Sequence, residues 1–103
     1  MAKVFVIQEN HGRNYSPAMK YGKLETIFPP NMQVSISASP AVRKLISVLS
    51  KLTDGDYLLL SGDPVLIGLA VAVATDQNRG RVNLLKWDNH EHDYFPVEVN
   101  LYG

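Results

Sequence analysis

The sequence predicts a single α/β domain built on a mixed β-sheet. Two continuous apolar runs, residues 4–7 and 57–60, are typical of strands covered on both faces, and we expect them to lie side by side in the sheet interior. Three helix-start signals separate further strand patterns. At 103 residues the chain forms one domain over residues 1–103. The expected α/β (α+β) fold has two or three layers, about five to six strands and two main helices in the order β-(short α)-β-β-α-β-α-β-β.

The N-terminal third is predicted to alternate strands with one short helix. After the first strand, the polar residues 9–14 indicate a loop. Ser16 and Pro17 then supply a cap and a first-turn proline for a short helix, which Gly22 ends. Residues 23–28 have the composition of a strand, and two prolines stop it because proline cannot donate to a sheet ladder.

A further short strand and an amphipathic helix are predicted next. Val34 and Ile36 alternate with serines, as in a short strand with one wet face. Ser39 and Pro40 repeat the cap-and-proline start of a helix, and Gly55 is expected to end it in the left-handed conformation. The apolar residues of this helix recur at spacings of three and four: Val42, Leu45, Ile46, Leu49 and Leu52.

The second main helix is predicted to be apolar on all sides. Asp63 and Pro64 fix its start, and residues 65–74 contain no polar side chain. Gly68 and Ala72 stand four apart and form a small-residue stripe on which a neighbour can pack closely. That neighbour is either the sheet or a second copy of the helix, so the pattern favours a homodimer. Gly68→Leu is expected to overpack the stripe.

The C-terminal residues predict a hairpin. Residues 82–87 and 94–101 form its strands, and Pro96 places the second strand at a sheet edge. Alternation predicts one buried face for that last strand, formed by Phe95, Val97, Val99 and Leu101.

Composition excludes several functional classes. Ten basic and ten acidic residues give zero formal charge, which disfavours a protein that depends on neutralising phosphates. The absence of cysteine excludes disulfides, thiolate metal sites and Cys nucleophiles. The N-terminus lacks the features of a signal peptide, and the apolar helix is about half the ~20 residues of a bilayer span. We therefore expect a cytoplasmic protein with no membrane partner and no cofactor.

The turn Ser61-Gly62-Asp63-Pro64 joins a strand to a helix, where α/β folds hold phosphates. It lacks the glycine spacing of a dinucleotide loop, and capping by Asp63 competes with a ligand. If the first strand and the strand before this turn are parallel neighbours, the loop after the first strand lies at the same edge. The candidate ligand-binding residues are Asn10, Ser61 and Gly62, and the candidate catalytic residues are His11, Arg13 and Asp63.

Two other clusters carry alternative interpretations. The basic residues Arg79, Arg81 and Lys86, near the aromatic residues Trp87, Tyr94 and Tyr102, are candidates for contact with single-stranded nucleic acid. His90 and His92 stand among acidic residues but match no metal-site spacing, so we predict no metal site. No motif of a serine hydrolase or zincin is present.

The C-terminal half carries a family resemblance. The string from Asp56 to Pro64, together with Asn78-Arg79-Gly80-Arg81 and Leu85-Lys86-Trp87-Asp88, resembles small uncharacterised bacteriophage-encoded α/β proteins. The resemblance implies an accessory protein in an infected bacterial cell. The leading hypothesis is a homodimeric binding protein that contacts nucleic acid or a host protein. The alternative is an enzyme or sensor for a nucleotide-like or phosphodiester ligand, which uses loop residues 10–14 and 61–64.

Overall fold

The structure is a computed structural model that describes residues 2–34 and 36–103. Five strands form one sheet in the order β2-β1-β3-β4-β5. The elements in chain order are β1 (Lys3–Gln8), a 3-10 helix (Ser16–Tyr21), β2 (Lys23–Phe28), α1 (Ser39–Val48), a 3-10 turn (Leu49–Lys51), β3 (Tyr57–Leu59), α2 (Pro64–Gln77), β4 (Arg81–Asp88) and β5 (Asp93–Asn100). This mixed α/β sheet confirms the predicted fold class.

The first four strands of the sheet are parallel, and β5 runs antiparallel at one edge. The two continuous apolar runs pair directly, as predicted, with Val4 opposite Tyr57 and Val6 opposite Leu59. Both α-helices pack on one face of the sheet, which we call the helical face. The 3-10 helix packs on the other face, which we call the aromatic face because four tyrosines and Trp87 lie there. The domain therefore has three layers.

The helical face holds the larger core. Phe5 and Ile7 of β1 and Leu58 of β3 point into it, and α1 contributes Leu45, which is fully buried. α2 packs through one stripe, formed by Leu66, Ala70 and Ala74. The predicted stripe of Gly68 and Ala72 does not pack on the sheet, because both residues are exposed.

Three predictions from turn and cap patterns are wrong. Val34 and Ile36 form no strand, because residues 32–34 cross from β2 towards α1, where Met32 and Val34 pack on the helical-face core; Ser35 lies outside the described residues. Neither Ser16 nor Ser39 caps a helix with its side chain, since each is the first helical residue. Gly55 has no positive φ, because the 3-10 turn ends the helical segment at Lys51.

The predicted burial of the last strand is also wrong. β5 lies at the edge, as Pro96 indicates, but Phe95, Val97 and Leu101 are 39%, 38% and 63% exposed. Val99 alone of the four packs against the helical-face core. The physical reason is that no α-helix covers the helical face of β5: α2 contacts β1 and β4, and the 3-10 helix contacts β5 from the aromatic face.

Candidate functional site

The loops that follow β1 and β3 meet at the carboxyl end of the sheet. From β1 the chain crosses to the aromatic face, and from β3 it crosses to the helical face. Adjacent parallel strands whose connections leave on opposite faces create a crevice, and open α/β sheets bind ligands at such points. The expected parallel pairing of these two strands is present.

Ser61 joins the two loops by hydrogen bonds. Its hydroxyl lies 2.7 Å from the Tyr15 hydroxyl and accepts a 3.3 Å bond from the Asn10 side-chain amide. The Asn10 backbone N–H donates to the Tyr15 hydroxyl at 2.8 Å. The structure thus brings together Asn10 and Ser61, two of the predicted ligand-binding residues. Tyr15, which links them, gives no sequence signal beyond being an aromatic residue after a polar loop.

The Gln8 side chain fixes the Ser61-Gly62-Asp63 turn by hydrogen bonds. Its side-chain oxygen accepts from the Asp63 backbone N–H at 2.7 Å, and its amide donates to the carbonyls of Pro29 and Met32 at 3.0 and 2.8 Å. Gly62 is required here, because a Cβ at this position would lie 2.3 Å from the Gln8 Cβ and the φ is +108°. The turn is therefore a packed structural joint.

Asp63 caps α2, as its position before Pro64 predicts. Its carboxylate accepts a 2.8 Å hydrogen bond from the Val65 backbone N–H. The residue is in the extended conformation that an N-cap requires. A carboxylate in this position occupies the donors with which a helix start holds an anion.

Arg13 lies beside the aromatic face. Together with Asn14, Trp87 and Tyr94 it lines a cavity of about 300 Å³, and Asp63 is not among the lining residues. His11 is exposed and takes part in none of the hydrogen bonds that join the two loops. Of the three candidate catalytic residues, the structure therefore places Arg13 alone in this cavity.

Tyr94 is the most unusual residue of this cavity. It is 3% exposed, and its hydroxyl has no hydrogen-bond partner among residues 2–34 and 36–103. Burial raises the pKa of Tyr94, and the Arg13 guanidinium opposes that increase. Arg13 therefore acts on the hydroxyl both as a charge and as a nearby donor, although the two groups do not reach normal hydrogen-bond geometry. A buried hydroxyl that lacks a partner costs about 1–3 kcal/mol.

Trp87 lines the cavity beside Tyr94. Its ring centroid lies 5.0 Å from that of Tyr94 in an edge-on arrangement, and its indole N–H donates to the Asn89 side chain at 2.6 Å. Trp87 and Tyr94 are directly opposite each other on β4 and β5. The side chain is only partly buried, so part of the indole remains accessible from the cavity.

The structure does not assemble the candidate nucleic-acid residues into one patch. Arg81 and Lys86 are five positions apart on β4, so their side chains point to opposite faces of the sheet. Arg81 forms a 3.2 Å ion pair with Asp54. Arg79 lies in the turn after α2, at a positive φ of 57°. The three cations therefore present no continuous positive surface.

His90 and His92 both lie in the turn between β4 and β5. Asp88 caps this turn through its carboxylate, which accepts from the backbone N–H groups of His90 and Glu91. His92 packs edge-on against Trp87, with centroids 6.3 Å apart. Across residues 2–34 and 36–103, no three His, Cys, Asp or Glu side chains are grouped so that they could hold a metal ion.

A second feature is the apolar surface between α2 and β5, which we call the α2–β5 surface. Val65, Gly68 and Ala72 of α2 are exposed on it. β5 and the residues after it continue this surface with Phe95, Val97, Leu101 and Tyr102. A groove of about 420 Å³ runs between the two elements, lined by residues that include Gly68, Ala72 and Leu101.

Comparisons with known proteins give one match. No curated protein and no solved structure matches the chain. Within the parts of the chain that the structure describes, no helix has both the length and the apolar character needed to cross a bilayer. The model of the phage Pam3 gp32-like protein family matches residues 2–101, and because this match covers nearly the whole chain, the protein belongs to that phage family.

Proposed function

We propose that this phage protein is an accessory binding protein that acts in the host cytoplasm as a homodimer, and that it dimerises through the α2–β5 surface. The observation that carries the proposal is the exposure of Val65, Phe95, Val97 and Leu101 beside the small residues of α2. Contiguous apolar surface of this kind marks contact sites on soluble domains.

The small residues of α2 favour a helix as the partner element. An added Cβ on Gly68 meets no atom within 4 Å, so nothing in the chain occupies the space above it. Ala72, one turn later, is also exposed. Small residues four apart let two helix axes approach closely, and the same α2 on a second copy supplies the matching surface.

Charges at the two ends of the surface favour a second copy. Lys86 lies on the helical face near the start of α2, because β4 runs parallel to β3 and α2 returns between them. Asp76 lies near the other end of α2 and lines the groove there. A two-fold axis that passes between Gly68 and Ala72 makes the two copies of α2 run in opposite directions. Lys86 of each copy then faces Asp76 of the other copy.

The dimer is tested by light scattering coupled to size exclusion over a range of concentrations. The wild type is expected at the mass of two chains of 11.5 kDa. Gly68→Leu and Ala72→Arg are expected at the mass of one chain, because each introduces bulk or charge at the proposed axis. Gly68→Leu does not harm the isolated fold, since the space is open and leucine exceeds glycine in helix propensity by roughly 0.8 kcal/mol.

The control is Ser47→Leu, on the exposed side of α1, which is expected to stay dimeric. A monomeric wild type would overturn the homodimer and leave a host protein as the partner for this surface. A wild-type dimer that survives in both α2 variants would move the interface elsewhere on the molecule. Host protein is the better-supported external partner, because Arg79, Arg81 and Lys86 form no common surface for nucleic acid.

A second candidate function is a sensor for a nucleotide-like ligand that uses loop residues 10–14 and 61–64. The favouring observation is the junction of Asn10 and Ser61 at the crevice between β1 and β3. We propose a sensor and not an enzyme, because the carboxylate of Asp63 caps α2. A thermal-shift screen against nucleotides tests it, since a bound ligand raises the melting temperature by mass action.

A further inference from the structure

The hydrogen-bonding groups at the centre of the crevice are already engaged. The Ser61 hydroxyl is shared with Tyr15 and Asn10, and the Gln8 amide is bonded to two carbonyls and to the Asp63 N–H. A ligand that displaced these groups would break as many hydrogen bonds as it formed, so the exchange would contribute little to the binding free energy. Groups that remain available lie next to the crevice, on the aromatic face.

Four side chains offer unused groups there. The Tyr94 hydroxyl is buried and lacks a partner in the described part of the chain. Arg13 makes no ion pair among residues 2–34 and 36–103. Asn14 uses its side-chain oxygen to hold Ser16, which leaves its amide hydrogens available. Trp87 contributes aromatic surface, and all four line the same cavity of about 300 Å³.

We propose that this cavity binds a small anion that carries a planar ring, such as a nucleoside monophosphate. Arg13 receives the anionic group, because a guanidinium fits the oxygens of a phosphate or carboxylate in pairs. Trp87 stacks on the ring, and the Tyr94 hydroxyl and the Asn14 amide donate to its polar edge. The proposal deepens the sensor candidate above and is independent of the dimer.

Size and charge restrict the ligand further. A cavity of about 300 Å³ is at the lower end of the range for small-molecule sites, so it admits one ring-bearing unit and not a dinucleotide. The negative charges of the neighbouring carboxylates are partly compensated, which weakens their repulsion of an anion. Asp93 is paired with Lys20, and Asp88 accepts hydrogen bonds from two backbone N–H groups. The positive charge of Arg13 is therefore what makes the cavity favour an anionic ligand.

Trp87 is the only tryptophan in the chain, so its fluorescence reports on the cavity directly. The experiment titrates the full-length protein with AMP, GMP, CMP and UMP, with the matching nucleosides, with phenyl phosphate and with inorganic phosphate. Saturable quenching by compounds that combine a ring with an anion supports the proposal. Nucleosides and inorganic phosphate are expected to bind at least roughly tenfold more weakly, since each lacks one of the two contacts. If phenyl phosphate binds as tightly as the nucleotides, the result supports a ligand that combines a ring with an anion, and it shows that the site does not distinguish one base from another.

Two variants locate the site. Arg13→Gln is expected to weaken binding by roughly tenfold to a hundredfold, the loss of a charged hydrogen-bonded contact. Tyr94→Phe is expected to weaken it by roughly twofold to tenfold while the melting temperature of the free protein stays equal or rises, because the variant removes a hydroxyl that has no partner. Tyr102→Phe, at a tyrosine that is 82% exposed, is the matched control.

The outcomes separate this site from the sensor function. No saturable fluorescence change and no thermal shift with any probe would overturn the site and the sensor together, and the light-scattering result for the dimer would still stand. Binding that Arg13→Gln and Tyr94→Phe leave unchanged would keep a sensor but overturn this location. Equal binding of inorganic phosphate and AMP would overturn the role of Trp87.

Discussion

The two faces of the sheet are covered in different ways. On the helical face, two α-helices bury a continuous aliphatic core that includes Ile7, Leu45 and Leu66. On the aromatic face, a six-residue 3-10 helix covers the sheet, and four tyrosine rings pack there with Trp87 and a smaller aliphatic cluster. Aliphatic burial is non-directional and tolerates an incomplete cover, whereas directional hydrogen bonds hold a thin layer in place.

The aromatic face shows this directional attachment clearly. The Tyr21 hydroxyl donates to the Tyr94 carbonyl at 3.2 Å, and Lys20 pairs with Asp93. The Tyr21 and Tyr57 rings are 5.2 Å apart. Each face consequently leaves a different kind of unused surface: the helical face leaves the apolar α2–β5 surface, and the aromatic face leaves the cavity at Tyr94, which both polar and aromatic side chains line.

The largest effect is expected on the helical face. Leu45 is fully buried between α1 and the sheet, so Leu45→Ala removes three carbon atoms from a packed site. We expect a loss of about 2–5 kcal/mol in the free energy of unfolding, which urea denaturation measures.

Ile46→Ala is the matched control for that change. Ile46 is the next residue of the same helix but is 48% exposed, and we expect a loss of less than about 1 kcal/mol. If the two variants lose the same free energy of unfolding, the conclusion that Leu45 and not Ile46 faces the core is wrong.

The next effect is expected where the aromatic face meets the crevice. Gly62→Ala places a methyl group 2.3 Å from the Gln8 Cβ at a φ of +108°. Gln8 must move, which breaks its bond to the Asp63 N–H. We expect about 1–3 kcal/mol of destabilisation by urea denaturation. Gly12→Ala is the control: its φ is also positive but no atom lies within 4 Å, so it keeps the backbone strain without the clash.

Much of the fold could be predicted from local patterns. The continuous runs at β1 and β3 indicate central parallel strands, and Asp63 with Pro64 fixes the start of α2. The burial of β5 could not be predicted, because alternation gives the two faces of a strand without telling whether a helix covers either of them. Phe95 and Val97 are apolar and regularly spaced, but α2 does not extend over β5.

The candidate site could be predicted only in part. Parallel pairing of β1 with β3 brings Asn10 and Ser61 together, and that pairing follows from the apolar runs. The cavity at Tyr94 depends on where the 3-10 helix places the preceding loop. No periodicity encodes that position, so Arg13 was expected beside Asp63 and not beside Trp87.

A moderate effect is expected from the bond between Tyr15 and Ser61. Ser61→Ala leaves the Tyr15 hydroxyl without this partner, and we expect a loss of about 1 kcal/mol. Tyr15→Phe is expected to cost a similar amount. The double variant is expected to lose less than the sum of the two, and urea denaturation of all four proteins gives the coupling free energy. Additive losses would show that the two hydroxyls, 2.7 Å apart, do not act together.

The smallest effect is expected from the ion pair that ties the 3-10 helix to β5. The hydrogen bond from Lys20 lowers the pKa of Asp93 from its ordinary 3.8, and the bond to Asp93 raises the pKa of Lys20 from 10.5. The pair therefore stabilises the folded state between these two values. The contribution disappears as the pH falls through the folded-state pKa of Asp93 or rises through that of Lys20.

Lys20→Met keeps an unbranched apolar stem and removes the charge. We expect a slightly lower melting temperature than the wild type at neutral pH, because both partners are well exposed and screened. The two melting curves are expected to converge as the pH falls below the folded-state pKa of Asp93, because the carboxyl group is then protonated in both folded and unfolded chains. A difference that persists at such a pH would assign the effect to the contact of the Lys20 ammonium with the Tyr21 ring, whose centre lies 5.6 Å away, and not to the ion pair.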